Sequence, residues 1–491
     1  MTRLSNKLEY DAVVVGSGPN GFAAAITMAR SGHSVLLIEA RETVGGGMRS
    51  SAMTLPGFVH DICAAIHPFG IASPFFRSLD LASYGLQWIQ PPVPLAHPLD
   101  DGTSVLLRRS INETANELGP DKLSYLKLMR SINNNWDNLL KEVFEPLHFP
   151  RHPFSFGQFA LIASQSVDHF VQSHFETTGA RALFAGISAH SIMPTNLAGG
   201  AAYGLLLGTA GHVVGWPVAQ GGSQRIADAL ERYFISLGGE VRTGIEIHSF
   251  DELPKAKSIL MDVTPKQLLT IAGDLLPQFY RQRLLNFKYG PGVFKMDWAL
   301  RSPIPWKASA CLQAATVHLG GTYEEISEAE NSVWQGKNPE KPVVILAQPS
   351  LFDNTRTPNN KHTAWAYCHV PNGSTFDMSQ RIENQVERFA PGFRDCILAR
   401  SVMNTTAMEA HNPNYIGGDI AGGMQNPIRL FLKPLGSWRP YSTPIRGVYL
   451  CSSSMPPGAG VHGMCGYYAA RRALHEVFKE KAETLAAGDF L

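Results

Sequence analysis

Residues 11–40 restrict the fold more than any other part of this chain. DAVVV (11–15) is a β-branched apolar run that breaks into GSGPNG (16–21), passes through FAAAITMAR (22–30) and ends in SVLLIEA (34–40). Strand, glycine loop, helix and strand in that order read as a βαβ unit, the start of a Rossmann-like α/β fold. The glycines have separate tasks. Gly16 lets the chain turn sharply out of the strand, Gly18 lets backbone approach a diphosphate, and Gly21 lets helix pack close to strand. Pro19 and Asn20 lie in the same loop, at the start of a helix whose N-terminus faces the phosphates. Glu39 closes the second strand, where a carboxylate accepts hydrogen bonds from ribose hydroxyls and repels a 2′-phosphate.

A second glycine loop follows at once, ARETVGGGMRSS (40–51). There the backbone of Gly46, Gly47 and Met48 can approach a diphosphate or sugar chain, and Arg41 and Arg49 supply charge-assisted hydrogen bonds. Two distant fragments repeat the chemistry. QGGSQR (220–225) leads into the helix IADALERYFISL and a strand reaching Ile247. Near the C-terminus the strand GVYLCSSS, the loop MPPGAGVHGMCG and a helix carry Ser452, Gly460, Val461 and Met464. Their pattern fits a further contact on the same ligand.

Composition removes other classes. A net charge of +1, with no basic stripe, leaves no electrostatic footprint for nucleic acid. Charged residues make up 17% of the chain and apolar ones 44%, which fits much buried surface or an oily ligand. Six scattered cysteines without a CxxC indicate neither a disulfide scaffold nor a redox pair, so a reducing, cytoplasmic compartment is expected. Met1 to Tyr10 has no apolar core, so no secretory signal is expected. The apolar stretch 197–215 contains His212 and six glycines and is expected to pack internally; docking on a membrane surface stays open. No histidine pair has the flanking ligands of a metal site.

The chain resembles the phytoene desaturase-type branch of the FAD-dependent amine oxidase superfamily, within it the group related to pyridine nucleotide-disulfide oxidoreductase domain-containing protein 2. The resemblance rests on GSGPNG with Glu39, ARETVGGGMRSS, PVAQGGSQRIADAL, ILMDVTPKQLL, GPGVFKMDWAL, AWAYCHVPNGS, HNPNYIGGDI and LCSSSMPPGAGVHGMCGYYAA. It implies a discontinuous FAD-binding domain (8–80, 215–289 and 426–480) and an inserted α+β substrate domain (81–214 and 290–425). The cofactor implied is FAD. NAD is disfavoured, because only one complete GxGxxG unit is present.

With FAD bound, the flavin carries the hard chemistry and the protein places a substrate C–H bond beside it. The resembled desaturases usually have proline after the Gly-Ala-Gly-aliphatic run; here His462 stands there, a titratable ring implied to lie close to the flavin. Cys63 replaces a common glycine, so Cys63 and His67 are implied to face the flavin from the other side, and His411 is a further candidate. The expected activity is hydride removal from an apolar small molecule, as in a desaturase, with an oily tunnel for the substrate. The electron acceptor stays open among oxygen, a quinone and a redox protein, and the sequence is silent on oligomeric state. Two rivals remain. One is amine oxidation, for which Trp365, Tyr367 and Tyr415 offer an aromatic cage. The other is an FAD-binding interaction protein with little turnover.

Overall fold

A computed structural model describes residues 10–426 and 439–480. Residues 8–9 and 427–438, which fall inside the expected FAD-domain segments, lie outside the described residues.

The chain passes repeatedly between two sheets. It opens with β1 (Tyr10–Val15), α1 (Pro19–Arg30) and β2 (Val35–Ile38). It then leaves for the hairpin of β3 (Val93–Pro98) and β4 (Ser104–Leu107) and a group of helices that ends in α2 (Thr178–Ser188) and α3 (Ala201–Val213). It returns with α4 (Gln224–Ser236), β5 (Glu240–Arg242) and β6 (Ala256–Met261). It leaves again for β7 (Gly292–Leu300), β8 (Ala314–Leu319), α5 (Tyr323–Trp334), β9 (Val344–Ala347), β10 (His362–Val370), α6 (Ser379–Phe389), β11 (Ile397–Met403) and α7 (Thr405–His411). It closes with β12 (Val448–Leu450) and α8 (Met464–Ala473).

The first sheet has the order β12-β6-β1-β2-β5, all parallel. Its central strands β1 and β2 are buried on both faces, as the unbroken runs VVV and VLLI require. At Gly21 a Cβ would lie 1.8 Å from the Gly16 carbonyl oxygen, so only glycine lets α1 sit against β1. Two expected strands are shorter than the sequence reading. The one ending at Ile247 stops at Arg242, and the one including Ser452 stops at Leu450.

The second sheet is mixed, in the order β11-β7-β10-β9-β8-β3-β4, with β3 and β8 its one parallel pair. Strand periodicity of two gives it two unlike faces. Phe294, Met296 and Trp298 of β7 join an apolar cluster with Ile382, Val386 and Phe389 of α6. The alternate residues Lys295 and Asp297 point the other way, into the interior of the molecule.

α3 takes up most of the long apolar stretch and packs on α2. At Gly204 a Cβ would meet Ser188 Oγ at 2.3 Å, so the glycines there permit close helix approach. Among the described residues, no helix is long and apolar enough to cross a membrane.

Candidate functional site

A cavity of about 400 Å³ runs from the N-terminus of α1 to the inner face of the mixed sheet. That volume is in the range of small-molecule sites.

Its nucleotide-facing end is built from backbone. Gly18 caps α1 without any side-chain hydrogen bond, and the buried Asn20 Oδ1 beside it has no partner. Pro19 has no N–H and Gly21 N–H is taken by Asp262, which leaves the Asn20 N–H of the first turn for a ligand. Glu39, 6% exposed, accepts from Ser17 N at 2.9 Å and Ser17 Oγ at 2.5 Å through Oε2, and from Arg41 N at 2.9 Å through Oε1. Gly46 comes so close to Gly18 that a Cβ on it would lie 2.9 Å from the Gly18 Cα. Gly16, Gly18, Pro19, Asn20, Glu39, Arg41, Gly46, Gly47, Arg49 and Ile247 all line the cavity. So do Gly460 and Val461, from the loop before α8. Gly21 works from behind: its N–H donates to Asp262 Oδ2 at 3.0 Å.

Asp262 was missed by sequence reasoning. It follows β6 and lines the cavity, and burial, aided by the charge of Glu39, pushes its carboxyl up to about 7 against the pull of the Gly21 N–H. The acid in ILMDVTP was the available signal. A Cβ at Gly18 would lie 2.7 Å from Asp262 Oδ2, so Gly18 makes room for this carboxyl as well as for a ligand.

The two arginines are already engaged. Arg41 donates through Nη2 to Ala410 O and through Nε to His411 O at 3.3 Å; Arg49 donates to Gly46 O at 3.0 Å and His411 O at 3.3 Å. Cations at the C-terminal carbonyls of α7 are favourable, and these bonds hold both guanidiniums at the cavity wall with further N–H donors remaining.

Several expected site residues do not reach the cavity. Met48 is fully buried in the core, and Met464 and Ser452 are each 1% exposed behind the cavity wall. The His462 ring packs on Phe144, 5.1 Å between centroids, and its Nδ1 accepts from Met464 N at 3.0 Å. This corrects the expectation of a ring facing the flavin: the N-terminus of α8 needs a cap, and His462 supplies it. Burial takes the ring down to about 4, so it is neutral. His411 also stays outside the lining, with burial and then Arg49 and Arg41 taking it down to about 3.

Cys63 and His67 do line the cavity. Burial raises the Cys63 thiol, which excludes a resting thiolate nucleophile. Burial takes His67 down to about 4, and its Nε2 pairs with Ser223 Oγ at 2.8 Å.

The far end of the cavity combines apolar and aromatic walls with a few buried polar groups. Trp365, Tyr367 and Tyr415 line it, the first two meeting edge to face at 5.2 Å. Between them and the sheet lies Lys295, 1% exposed, paired with Asp297, whose other oxygen lies 3.5 Å from His60 Nδ1. Thr316 and His190 continue this polar wall. The sequence signal was the spacing of two charges, Lys and Asp, inside the apolar run VFKMDWAL. Among the described residues no group of three or more His, Cys, Asp or Glu side chains is arranged to hold a metal ion, and the six cysteines are free.

Residues 14–80 match the family described as NAD(P)-binding Rossmann-like domain. The whole chain is similar to pyridine nucleotide-disulfide oxidoreductase domain-containing protein 2 of Rattus norvegicus, 23% identical over 96% of this chain and 94% of that protein. Half of it (50%) is 26% identical to 51% of the neurosporene-forming phytoene desaturase of Rhodobacter capsulatus. The fold is that of cyclohexylamine oxidase from Brevibacterium oxydans, with a TM-score of 0.62 at 15% identity over 96% of this chain and 100% of that one.

Proposed function

We propose that this chain, an oxidoreductase of the amine oxidase and desaturase superfamily, binds FAD along the cavity and passes to it a hydride from a C–H bond of a small, mainly apolar substrate. The observation that carries this reading is continuity. One cavity joins the N-terminus of α1 and the Glu39 carboxylate to a chamber walled by Trp365, Tyr367 and Tyr415.

The residues present fit FAD. The Asn20 N–H at the start of α1, with the close backbone of Gly18 and Gly46, suits a diphosphate; Glu39 suits ribose hydroxyls; the unpartnered Asn20 Oδ1 lacks only a donor. When bound, FAD supplies the hydride-accepting ring. The protein's own residues then bind, orient and keep water out. The aromatic walls give a low-dielectric chamber in which the Lys295–Asp297 pair is a fixed dipole. A neutral His67 and a protonated Cys63 add no charge to that wall.

A second reading, oxidation of a neutral amine, is favoured by the three aromatic rings that meet in one chamber and by the fold shared with cyclohexylamine oxidase. Anaerobic mixing of the purified protein with panels of ring alcohols, alkenes and amines tests both. Bleaching of a flavin band by the first two classes supports the first reading, and bleaching by amines alone supports the second. Protein purified without any flavin overturns both.

A further inference from the structure

The nucleotide-facing end of the cavity holds two buried carboxyls, and the protein serves them unequally. Glu39 receives three donors, Ser17 N, Ser17 Oγ and Arg41 N, spread over both of its oxygens. Asp262, equally buried at 6% exposure, receives one, the Gly21 N–H at 3.0 Å on Oδ2. Its Oδ1 has no hydrogen-bond partner among the described residues, and the residue lines the cavity.

Among the described residues no cation offsets a charge on Asp262. The group that faces it from α1 is the Gly21 N–H, and beyond the end of β2 it is Glu39, itself an acid. From the segment after β12 and from α8 the thiols of Cys451 and Cys465 face it, and burial pushes both of them up, so neither is charged. Arg41 and Arg49 are tied to the carbonyls at the end of α7. Burial, with the Glu39 charge adding, therefore holds the Asp262 carboxyl up at about 7 against the single N–H.

The place of this carboxyl is set by the glycine loop. A Cβ on Gly18 would lie 2.7 Å from Asp262 Oδ2, and one on Gly16 would lie 3.1 Å from Asp262 Cβ. The side chain thus lies against the backbone that suits a diphosphate. A diphosphate there brings more negative charge to a group that already lacks a cation, and an ionised Asp262 would repel it. A carboxylic acid does not repel it, and its O–H is a donor to a phosphate oxygen. The donors supplied to Glu39 are those of a carboxylate; the surroundings of Asp262 are those of an acid that keeps its proton.

We infer that Asp262 is a cofactor-binding residue that acts as a neutral carboxylic acid, donating its O–H to an oxygen of the FAD diphosphate, and that FAD binding above neutral pH draws a proton from solvent onto this carboxyl. The inference rests on the reading of the cavity as an FAD site and deepens it: a side-chain donor joins the Asn20 N–H at the same anionic group. The rival role, a carboxylate that accepts from sugar hydroxyls, requires the opposite dependence on pH.

The test is the FAD dissociation constant as a function of pH. Holoprotein is diluted into buffers of constant ionic strength from about pH 5.5 to about pH 9, and FAD release is read by the recovery of flavin fluorescence. The constant should rise about tenfold from about pH 6 to about pH 8, as expected when a carboxyl at about 7 in the free protein must be protonated in the complex. Asp262→Asn cannot ionise; its amide oxygen can accept from Gly21 N–H while its NH₂ takes the place of the acid O–H. It should bind FAD about as tightly as wild type does at about pH 6, with a flat profile. Asp262→Leu should also be flat but bind about tenfold more weakly there, for want of a donor. A wild-type constant that does not change with pH, one that falls as pH rises, or an Asp262→Asn protein that keeps the wild-type slope overturns the inference and leaves the FAD reading standing. Protein that binds no FAD at any pH overturns the FAD reading and this inference with it.

Discussion

The two sheets build their share of the cavity from different parts of the chain. In the parallel sheet Val13, Val14, Leu36, Leu37 and Leu260 are fully buried in packing, and the ligand-facing groups, mostly loop backbone with the Glu39 and Asp262 carboxyls, lie beyond the strand ends. In the mixed sheet the strands themselves supply the chemistry, as Lys295, Thr316, Trp365 and Tyr367 stand on its inner face. A site made of backbone constrains residue type through sterics, so it fails when side chains are added. A site made of side chains fails when partners are taken away.

The comparison can be broken most severely at Gly21. Gly21→Val drives a side chain into the Gly16 carbonyl, and we expect a loss of about 4 kcal/mol or more, seen as insoluble or flavin-free protein. Soluble, flavin-loaded Gly21→Val protein would refute the packing described for α1. On the mixed sheet the matching experiment removes a partner. Lys295→Met leaves Asp297 buried and unpaired, at a cost of about 3–5 kcal/mol in denaturant titration, whereas Lys295→Met with Asp297→Leu should recover most of it. If the double variant is no more stable than the single one, the pair is not the source of the loss.

Two smaller effects sharpen the backbone side. Glu39→Ala should weaken FAD by about 1.5–3 kcal/mol, read as a raised dissociation constant for the flavin. Retention equal to wild type would detach Glu39 from the cofactor. Asp262, near 3.9 when unfolded and about 7 when folded, takes up a proton on folding between those values. Its contribution to stability is therefore greatest below about pH 4 and declines as pH rises to 7, by no more than about 1.4 kcal/mol per pH unit. Asp262→Asn should flatten that slope in melting experiments on the apoprotein, and an unchanged slope would assign it to another group. The smallest effect is expected at His462. His462→Asn should cost about 1 kcal/mol of stability through weaker packing and capping and leave the rate of flavin reduction unchanged, so a slowed rate would return His462 to the chemistry.

The same contrast explains what the sequence disclosed. Gly16, Gly18, Gly21, Glu39, Gly46 and Gly47 were legible because steric demands on backbone leave a spaced glycine pattern in a short segment. The parallel-sheet fold was legible for the same reason, since VVV and VLLI bracket that pattern. His462 was misread because position in a loop does not fix where a ring turns, and here the need to cap α8 turns it to Phe144. Lys295, Asp262 and His190 were missed because each comes to the cavity from a separate region, and only the strand register and the fold of α2 bring them together. Trp365, Tyr367 and Tyr415 were named from the sequence as a set, but their meeting in one chamber depends on β10 and on the loop after α7.

The place of β12 in the parallel sheet has a consequence for the chain during synthesis. Strands β1, β2, β5 and β6 are complete once residue 261 has been made, yet the partner that covers the outer edge of β6 is Val448–Leu450. For the nearly two hundred residues between, that nascent edge presents unpaired N–H and C=O groups, a template for pairing with another chain. Ribosome stalling or truncation anywhere in the interval should therefore yield aggregates seeded at residues 256–261, and the last short strand serves as the closure that ends this exposure.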